Sequence, residues 1–382
     1  MKKFGIFLYL VIFLLLCGPK QDKVERKVEN GVEIVINHLE PYKIGSQSSF
    51  TLEEILTIDT EDEEIANLGI PDIFGFSVNS LGEIYILRAY EGEGDFIFKF
   101  TKNGEFVKSF GSQGQGPGEL QNPHYIAIDH NDNIMISDIN QQILRKYNKD
   151  GLFIGDFKME HGSLAVTLGP KANLIVKEDS YKSDKGRALN TYSLKLLNPD
   201  LEVLQVIDEF SFEWRQDKVK ATEPIFCWSV SHDNIYVVNE NREYEIWVYD
   251  FNGKLIRKIQ KQYRRIPVSE NFKKKTLKQF PEGMRDQMKD VLYFPKFHPP
   301  IQNLVAGEDG LLLVSTFEEG ENPEEFMFDI FNKEGVFIGR KSLNIWIWEV
   351  HLWARIKAGK FYVLREKESG YKELAVYNMI WK

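Results

Sequence analysis

The sequence predicts an all-β chain, a six-bladed β-propeller of four-stranded antiparallel blades. An N-terminal strand closes the ring, and a short helical insertion separates blades four and five. Three observations carry that prediction. A turn followed by an apolar, strand-like run recurs six times, and a second turn between apolar runs follows most of the first ones. The last copy also lacks its fourth strand, while a strand near the N-terminus has no blade of its own. Four-stranded antiparallel units repeated radially are propeller blades. The aromatic content, 13% of residues, suits extended strands, where flat rings pack on a pleated surface.

The first turn appears as "SLGEIYIL", "HNDNIMIS", "PKANLIVK", "SHDNIYVV", "EDGLLLVS" and "KAGKFYVL", with strands opening near Ile84, Ile134, Leu174, Ile235, Leu312 and Phe361. The second appears as "FTKNGEF", "YNKDGLF", "YDFNGKL" and "FNKEGVF", with Gly104, Gly151, Gly253 and Gly335. Glycine and Asn/Asp supply the positive φ of tight hairpin turns. Copy three has Asp200 and Leu201 at the corresponding place, and copy six has no second-turn glycine. Apolar runs "FGFSVN", "PHYIAID", "SLAVTLG", "IFCWSVS", "IQNLVAG" and "EVHLWARI" supply the innermost strands. The glycine-rich "SFGSQGQGPGELQNPHYIAID" (109–129) lacks the Gly-Lys-Ser/Thr ending of a phosphate loop and joins blade one to blade two.

Copy six ends at "ELAVYNMIWK", and "SFTLEEILTID" (49–59) is placed as its missing strand, which leaves the ring no open seam. The alternative pairs this segment with "GVEIVIN" as an independent hairpin and leaves blade six with an exposed edge. The propeller is thus assigned to 49–382, and 18–48 to a linker with a short strand.

Before the fold, Lys2 and Lys3 precede an apolar run from Phe4 to Leu16 and then Cys17, the layout of a secretory signal. The run is short for a bilayer crossing, which takes about 20 residues. Residues 1–17 are assigned as a lipoprotein-type signal peptide with lipid on Cys17. An uncleaved anchor, or cleavage elsewhere, is the alternative, because Leu16 is larger than the usual residue before such a cysteine. Cys227 is the only other cysteine, so the exported chain has to hold together without disulfides. Net charge is −9, which disfavours nucleic acid as a partner.

"GEIYIL", "DNIMISDINQQILRKYNKDGLFIGDF" and "FGSQGQGPGELQNPHYIAID" resemble the NHL-type repeat. The whole is similar to bacterial six-bladed β-propeller lipoproteins, including the "VENGVEIVIN" segment and the G-x-G-P-G-E joint. The resemblance implies a fold more firmly than a reaction. It implies a lipid-anchored protein of the cell envelope, facing the periplasm or the exterior.

Length variation falls on one face, which the strand b to c loops and the blade-to-blade joints share. "RAYEGEGD", "EDSYKSDKGRALN", "FSFEWRQDKVKATEP" and "STFEEGENPEE" are long, and 264–300 is longest. Scaffolds display binding loops in this way. The insertion reads as two short helices, with Ser269 as N-cap, Pro281 opening the second, and Met284, Met288, Val291 and Leu292 as an apolar stripe. The stripe is expected to pack on the propeller. Arg264, Arg265, Lys273, Lys274 and Lys275 form a basic patch suited to phosphate headgroups or an anionic ligand, or a solvated helix face.

The second strands end, by alignment, at Arg88, Asp138, Glu178, Asn239, Thr316 and Arg365, beside the central tunnel. Asp138, Glu178 and Asn239 are the candidate metal ligands, and oxygen donors of this kind suit Ca²⁺. Calcium-dependent propeller lactonases use a comparable location. The competing expectation is that these side chains bond to loop backbones. His124, Asn303 and His351, on innermost strands, are further candidates. No cofactor is firmly implied. The leading expectation is a monomeric, membrane-tethered binding or scaffold protein, taking a protein or small molecule on the loop face. The alternative is a Ca²⁺-assisted hydrolase or lactonase at the tunnel mouth, although the sequence offers no G-x-S-x-G elbow.

Overall fold

The computed structural model describes residues 24–42, 49–89, 93–158, 165–169, 173–184, 187–198, 202–215, 218–222, 224–322, 325–345 and 350–382. Cys17 and the signal segment lie outside them. The strands form six four-stranded antiparallel blades around an axis. From innermost to outermost strand, blade one is Ile73–Val78, Ile84–Arg88, Asp95–Phe100 and Phe106–Ser112. Blade two is Pro123–Ile128, Ile134–Asp138, Ile143–Tyr147 and Phe153–Lys158. Blade three is Ala165–Leu168, Leu174–Asp184, Arg187–Leu197 and Val203–Arg215. Blade four is Phe226–Val230, Ile235–Asn239, Glu245–Tyr249 and Leu255–Lys261. Blade five is Asn303–Ala306, Leu312–Glu319, Phe326–Phe331 and Phe337–Leu343.

Blade six takes three strands from the C-terminus, Ala354–Lys357, Lys360–Glu366 and Lys372–Trp381. Phe50–Asp59 supplies the fourth, pairing antiparallel with Lys372–Trp381 from Glu373↔Asp59 to Trp381↔Phe50. Closure therefore joins the two ends of the sequence through a ladder of backbone hydrogen bonds.

The turns have a common chemistry. At the second turn, Asn148 Oδ1 accepts from the backbone N–H groups of Asp150 and Leu152, and Asp250 does the same for Asn252 and Lys254. At the first turn, Asn79, Asp129 and Ser231 play that part. A short polar side chain satisfies donors that the hairpin leaves outside the ladder.

Three regions depart from the sequence reading. The segment before the ring is a hairpin of two strands, Glu25–Glu29 and Val32–Asn37, turned at Asn30 and Gly31, both at positive φ. The first strand, ERKVE, is exposed throughout, so it carries no alternation by which a sequence could announce it. Val32–Asn37 runs parallel to Leu255–Lys261 and covers the outer edge of blade four. Buried Asn37 then staples blade four to blade five. Its Nδ2 donates to the carbonyls of Gln260 and Gly335, and its Oδ1 accepts from the Phe337 N–H.

In blade three, the stretches expected to be loops are strand. Leu174–Asp184 and Arg187–Leu197 have 11 residues each, and Val203–Arg215 has 13. Their far ends form a three-stranded arm beyond the four-residue innermost strand. Tyr181 and Leu189 are exposed on it, while Tyr192, Phe210, Phe212 and Phe226 pack rings at its base. Apart from buried Ala188, Tyr181–Ser183 and Leu189–Thr191 are exposed or half-buried, so the arm has no long buried stripe and its polar sequence imitates a loop.

The third departure lies on the axis. Among the described residues of the "EVHLWARI" run, strand begins at Ala354, in Ala354–Lys357, and Val350–Trp353 is a single helical turn. That turn touches the innermost strands of all five other blades. Leu352 and Trp353 are buried and continuous with a core that includes Phe76, Tyr125, Phe226 and Trp228. Two adjacent bulky residues can both be buried here because the axis surrounds them. Gly75 makes room: a Cβ on it would lie 2.6 Å from Leu352 Cδ2.

Candidate functional site: the loop face and an inter-blade cleft

The turn Val350–Trp353 precedes the innermost strand of blade six, so it fills the axis from the loop-face side. Among the described residues the turn sets buried, apolar Leu352 and Trp353 at the mouth.

Each of the aligned strand ends has partners of its own. Asp138 is completely buried, and its carboxylate accepts from the backbone N–H groups of Gln121, Asn122 and Gln141 and from Gln141 Nε2. It organises the glycine-rich joint between blades one and two. Glu178 is the fifth residue of its extended strand and ion-pairs with Lys195 on the next one. Asn239 donates to the Glu209 carbonyl and accepts from the Asn241 N–H. Each of the three is thus bonded to neighbours of its own, and among the described residues no group of three or more His, Cys, Asp or Glu side chains is placed to hold a metal. Asp138 and the Asn239 Oδ1 bond to loop backbone, whereas Glu178 is taken by a lysine side chain.

On the cationic side, Arg88 is buried with its guanidinium 4.8 Å from the Phe96 ring centre. Arg365 pairs with Glu54 at 2.8 Å and Glu373 at 2.6 Å, bracing the closing strand. His124 packs edge-on against Phe74 at 5.0 Å, and burial holds its imidazole below the ordinary pKa. Thr316 donates to the Met327 carbonyl, and Asn303 is buried on the innermost strand of blade five. His351 falls in the plug turn, and its side chain lies outside the described residues.

The loop face carries another polar constellation, off the axis between blades four and five. A cleft of about 100 Å³ is lined by Lys261, Tyr244, Asp329, Arg340, Glu318 and Arg264, among others. Asp329 has no exposed surface and stands at its centre. Its Oδ1 accepts from Arg340 Nε at 2.8 Å, and its Oδ2 from the Tyr244 hydroxyl at 2.7 Å, with Lys261 Nζ 3.3 Å away. The terminal nitrogens of Arg340 fork onto Glu318 at 3.0 and 2.6 Å. Burial pushes the Lys261 amine below the usual lysine range; Asp329 opposes that shift and Arg340 adds to it. Tyr244 is driven well above an ordinary phenol by burial and then by the Asp329 charge. Three cations, Lys261, Arg264 and Arg340, and three anions, Asp329, Glu318 and Glu40, give a charge-compensated wall, able to hydrogen-bond a polar ligand without importing net charge.

Comparison with known proteins agrees with this architecture. A family model, DUF5128, described as a six-bladed β-propeller, matches residues 24–207. The chain is a six-bladed β-propeller. Comparison with the curated proteins finds no match. Among solved structures, the chain is similar to a Bacteroides fragilis protein named as exported, with 14% identity, 91% of this chain and 99% of that chain covered, and a TM-score of 0.52. A DUF4221 family member from Bacteroides vulgatus matches at 10% identity over 95% and 99% of the two chains, TM-score 0.49. A gluconolactonase from Xanthomonas campestris matches at 10% identity over 89% and 95%, TM-score 0.44. At these identities the likeness concerns the fold.

Proposed function

We propose that this propeller is an exported, membrane-tethered binding protein of the bacterial cell envelope, and that the loop face is its contact surface. The lysine-led apolar run ending at Cys17 supports export and tethering. One observation carries the binding reading. The axis is filled by Leu352 and Trp353, while the same face raises the arm of blade three and holds the insertion and the cleft beside it. A filled axis leaves the raised elements, rather than a central pocket, to meet a partner.

The test is site-specific photo-crosslinking of the full chain in its own cells. A photoreactive residue at Tyr181 or Leu189, both exposed on the arm, is expected to give discrete crosslinked species. The same residue at Leu81 or Leu152, exposed on turns of the opposite face, is expected to give none. Equal crosslinking from both faces, or none from the arm, overturns the reading.

A further inference from the structure

We propose that the helical insertion 264–300 is a membrane-contact surface that lies against anionic lipid headgroups. This rests on the tether reading above and adds to it an orientation and a lipid preference.

The orientation follows from strand directions. Leu255–Lys261 runs toward the loop face, where it enters the insertion. Val32–Asn37 is parallel to it and ends at that face. Glu25–Glu29 is antiparallel to Val32–Asn37 and therefore begins there, with Glu25 opposite Ile36 and Ile36 opposite Gln260. The chain thus enters the described fold beside the root of the insertion. Cys17 precedes Glu25 by eight residues. At roughly 3.3–3.6 Å per extended residue, that spans at most about 28 Å. A lipid on Cys17 keeps this corner of the loop face within about 3 nm of the bilayer.

The charge follows from composition. The insertion holds nine Lys/Arg against four Asp/Glu, a net +5 in a chain of net −9. The helix Glu270–Lys278 is capped by Ser269, whose side chain accepts from the Phe272 N–H. Phe272 meets His298 edge-on at 4.7 Å, and His298 stacks on Phe317 of blade five at 4.4 Å. This seats the helix by its apolar side. Lys274, Lys275 and Lys278 are exposed, and among the described residues they form no ion pair. Residues 274 and 278 are one helical turn apart, with 275 beside them. The expected apolar stripe is less buried than the sequence suggested: Met284 is 45% exposed, and Met288, Val291 and Leu292 are half-buried. Exposed Met284 and Tyr293 stand with the lysines on the insertion. Leu292–Tyr293 pairs parallel with Val219–Lys220, which fixes the far end of the insertion. Cations with a few exposed apolar and aromatic groups form an interfacial binding surface, and each lysine near an anionic leaflet adds to the attraction.

The test is lysine acetylation footprinting of the full, lipidated chain reconstituted in vesicles. One set is phosphatidylcholine alone and the other contains 30% phosphatidylglycerol, a probe composition chosen on the order of natural anionic surfaces. Lys274, Lys275 and Lys278 should be modified about threefold more slowly in the anionic vesicles. Lys102 and Lys149, on turns of the opposite face, should react equally in both. The protection should disappear in about 0.5 M salt, where screening is nearly complete, and in the K274E/K275E/K278E variant. Equal modification of the insertion lysines in the two vesicle types overturns the proposal, as does protection centred on Lys102 and Lys149. The tether is read separately: Cys17→Ser should stop the chain from floating with phosphatidylcholine vesicles. If it still floats with them, the tether fails, and the lipid preference is still decided by the footprint.

Discussion

Blades two and five carry the same pair of charges in opposite order. In blade two the third strand holds Arg145 and the fourth Asp156; in blade five the third strand holds Asp329 and the fourth Arg340. Each pair sits directly opposite in its register. In blade two the buried member is the cation. Arg145 makes two 2.7 Å bonds to Asp156, which is about one-third exposed, and lies 5.5 Å from the Phe153 ring centre. That pair closes on itself within one blade. In blade five the buried member is the anion, and a carboxylate has two oxygens to share. Asp329 takes Arg340 from its own blade and Tyr244 and Lys261 from blade four, while the rest of the Arg340 fork turns to Glu318. Inverting the order turns an internal clasp into a junction between blades, and the cleft opens at that junction.

This difference is first broken by Asp329→Ala. Removing the shared anion leaves Lys261 and Arg340 facing one another in a buried site, a loss of about 3–5 kcal/mol. Urea unfolding of the full chain should show a lower midpoint with an unchanged slope. Asp156→Ala in blade two should cost less, about 1–2 kcal/mol, because water reaches that side of the pair and only one donor residue loses its partner. Equal losses from the two variants would mean that blade five's pair is as self-contained as blade two's.

The repeat itself was plain in the sequence because tight turns demand particular residues. Asn79, Asp129, Asn148 and Asp250 bond their own backbones wherever they stand, so local chemistry announces each hairpin. Ring closure was equally legible, since a missing strand and a spare strand had to be each other's partners. What stayed hidden depends on which surroundings a residue finds after folding. The arm of blade three buries little beyond Ala188, too little to impose a long alternation. Strand ends such as Asp138 and Glu178 look alike as acidic positions, but one is consumed by a joint and the other by a neighbouring lysine. The cleft draws on residues from 39 to 340, yet it left one readable trace. Asp329 and Arg340 lie six residues before and five after Gly335, as Arg145 and Asp156 do around Gly151, with the charges exchanged. Aligning charge as well as apolar pattern along the repeat would have marked blade five.

The smallest expected effect sharpens the comparison most, because it reports on the extra cation that blade two lacks. Burial places the Lys261 amine below its unfolded range, with Asp329 only partly restoring it. The unfolded chain, whose lysine titrates near about 10.4, therefore binds more protons than the folded chain between the two pKa values. Stability contributed by this group rises with pH across that window, reversing the sense of a lysine that gains from its partner. Lys261→Met keeps the stem that lies 4.5 Å from the Phe337 ring centre at its amine end and removes the charge. At neutral pH it should change stability by no more than about 1 kcal/mol, since Asp329 keeps Arg340 and Tyr244 as donors. Between pH 8 and about 10, where the tyrosines raised by burial titrate in both chains, the difference between parent and variant should rise with pH, the parent gaining stability relative to the variant. Urea midpoints at half-unit steps of pH decide it. A parent curve and a variant curve that stay parallel would show Lys261 titrating as an ordinary surface lysine, and the junction would then rest on Asp329, Arg340 and Tyr244 alone.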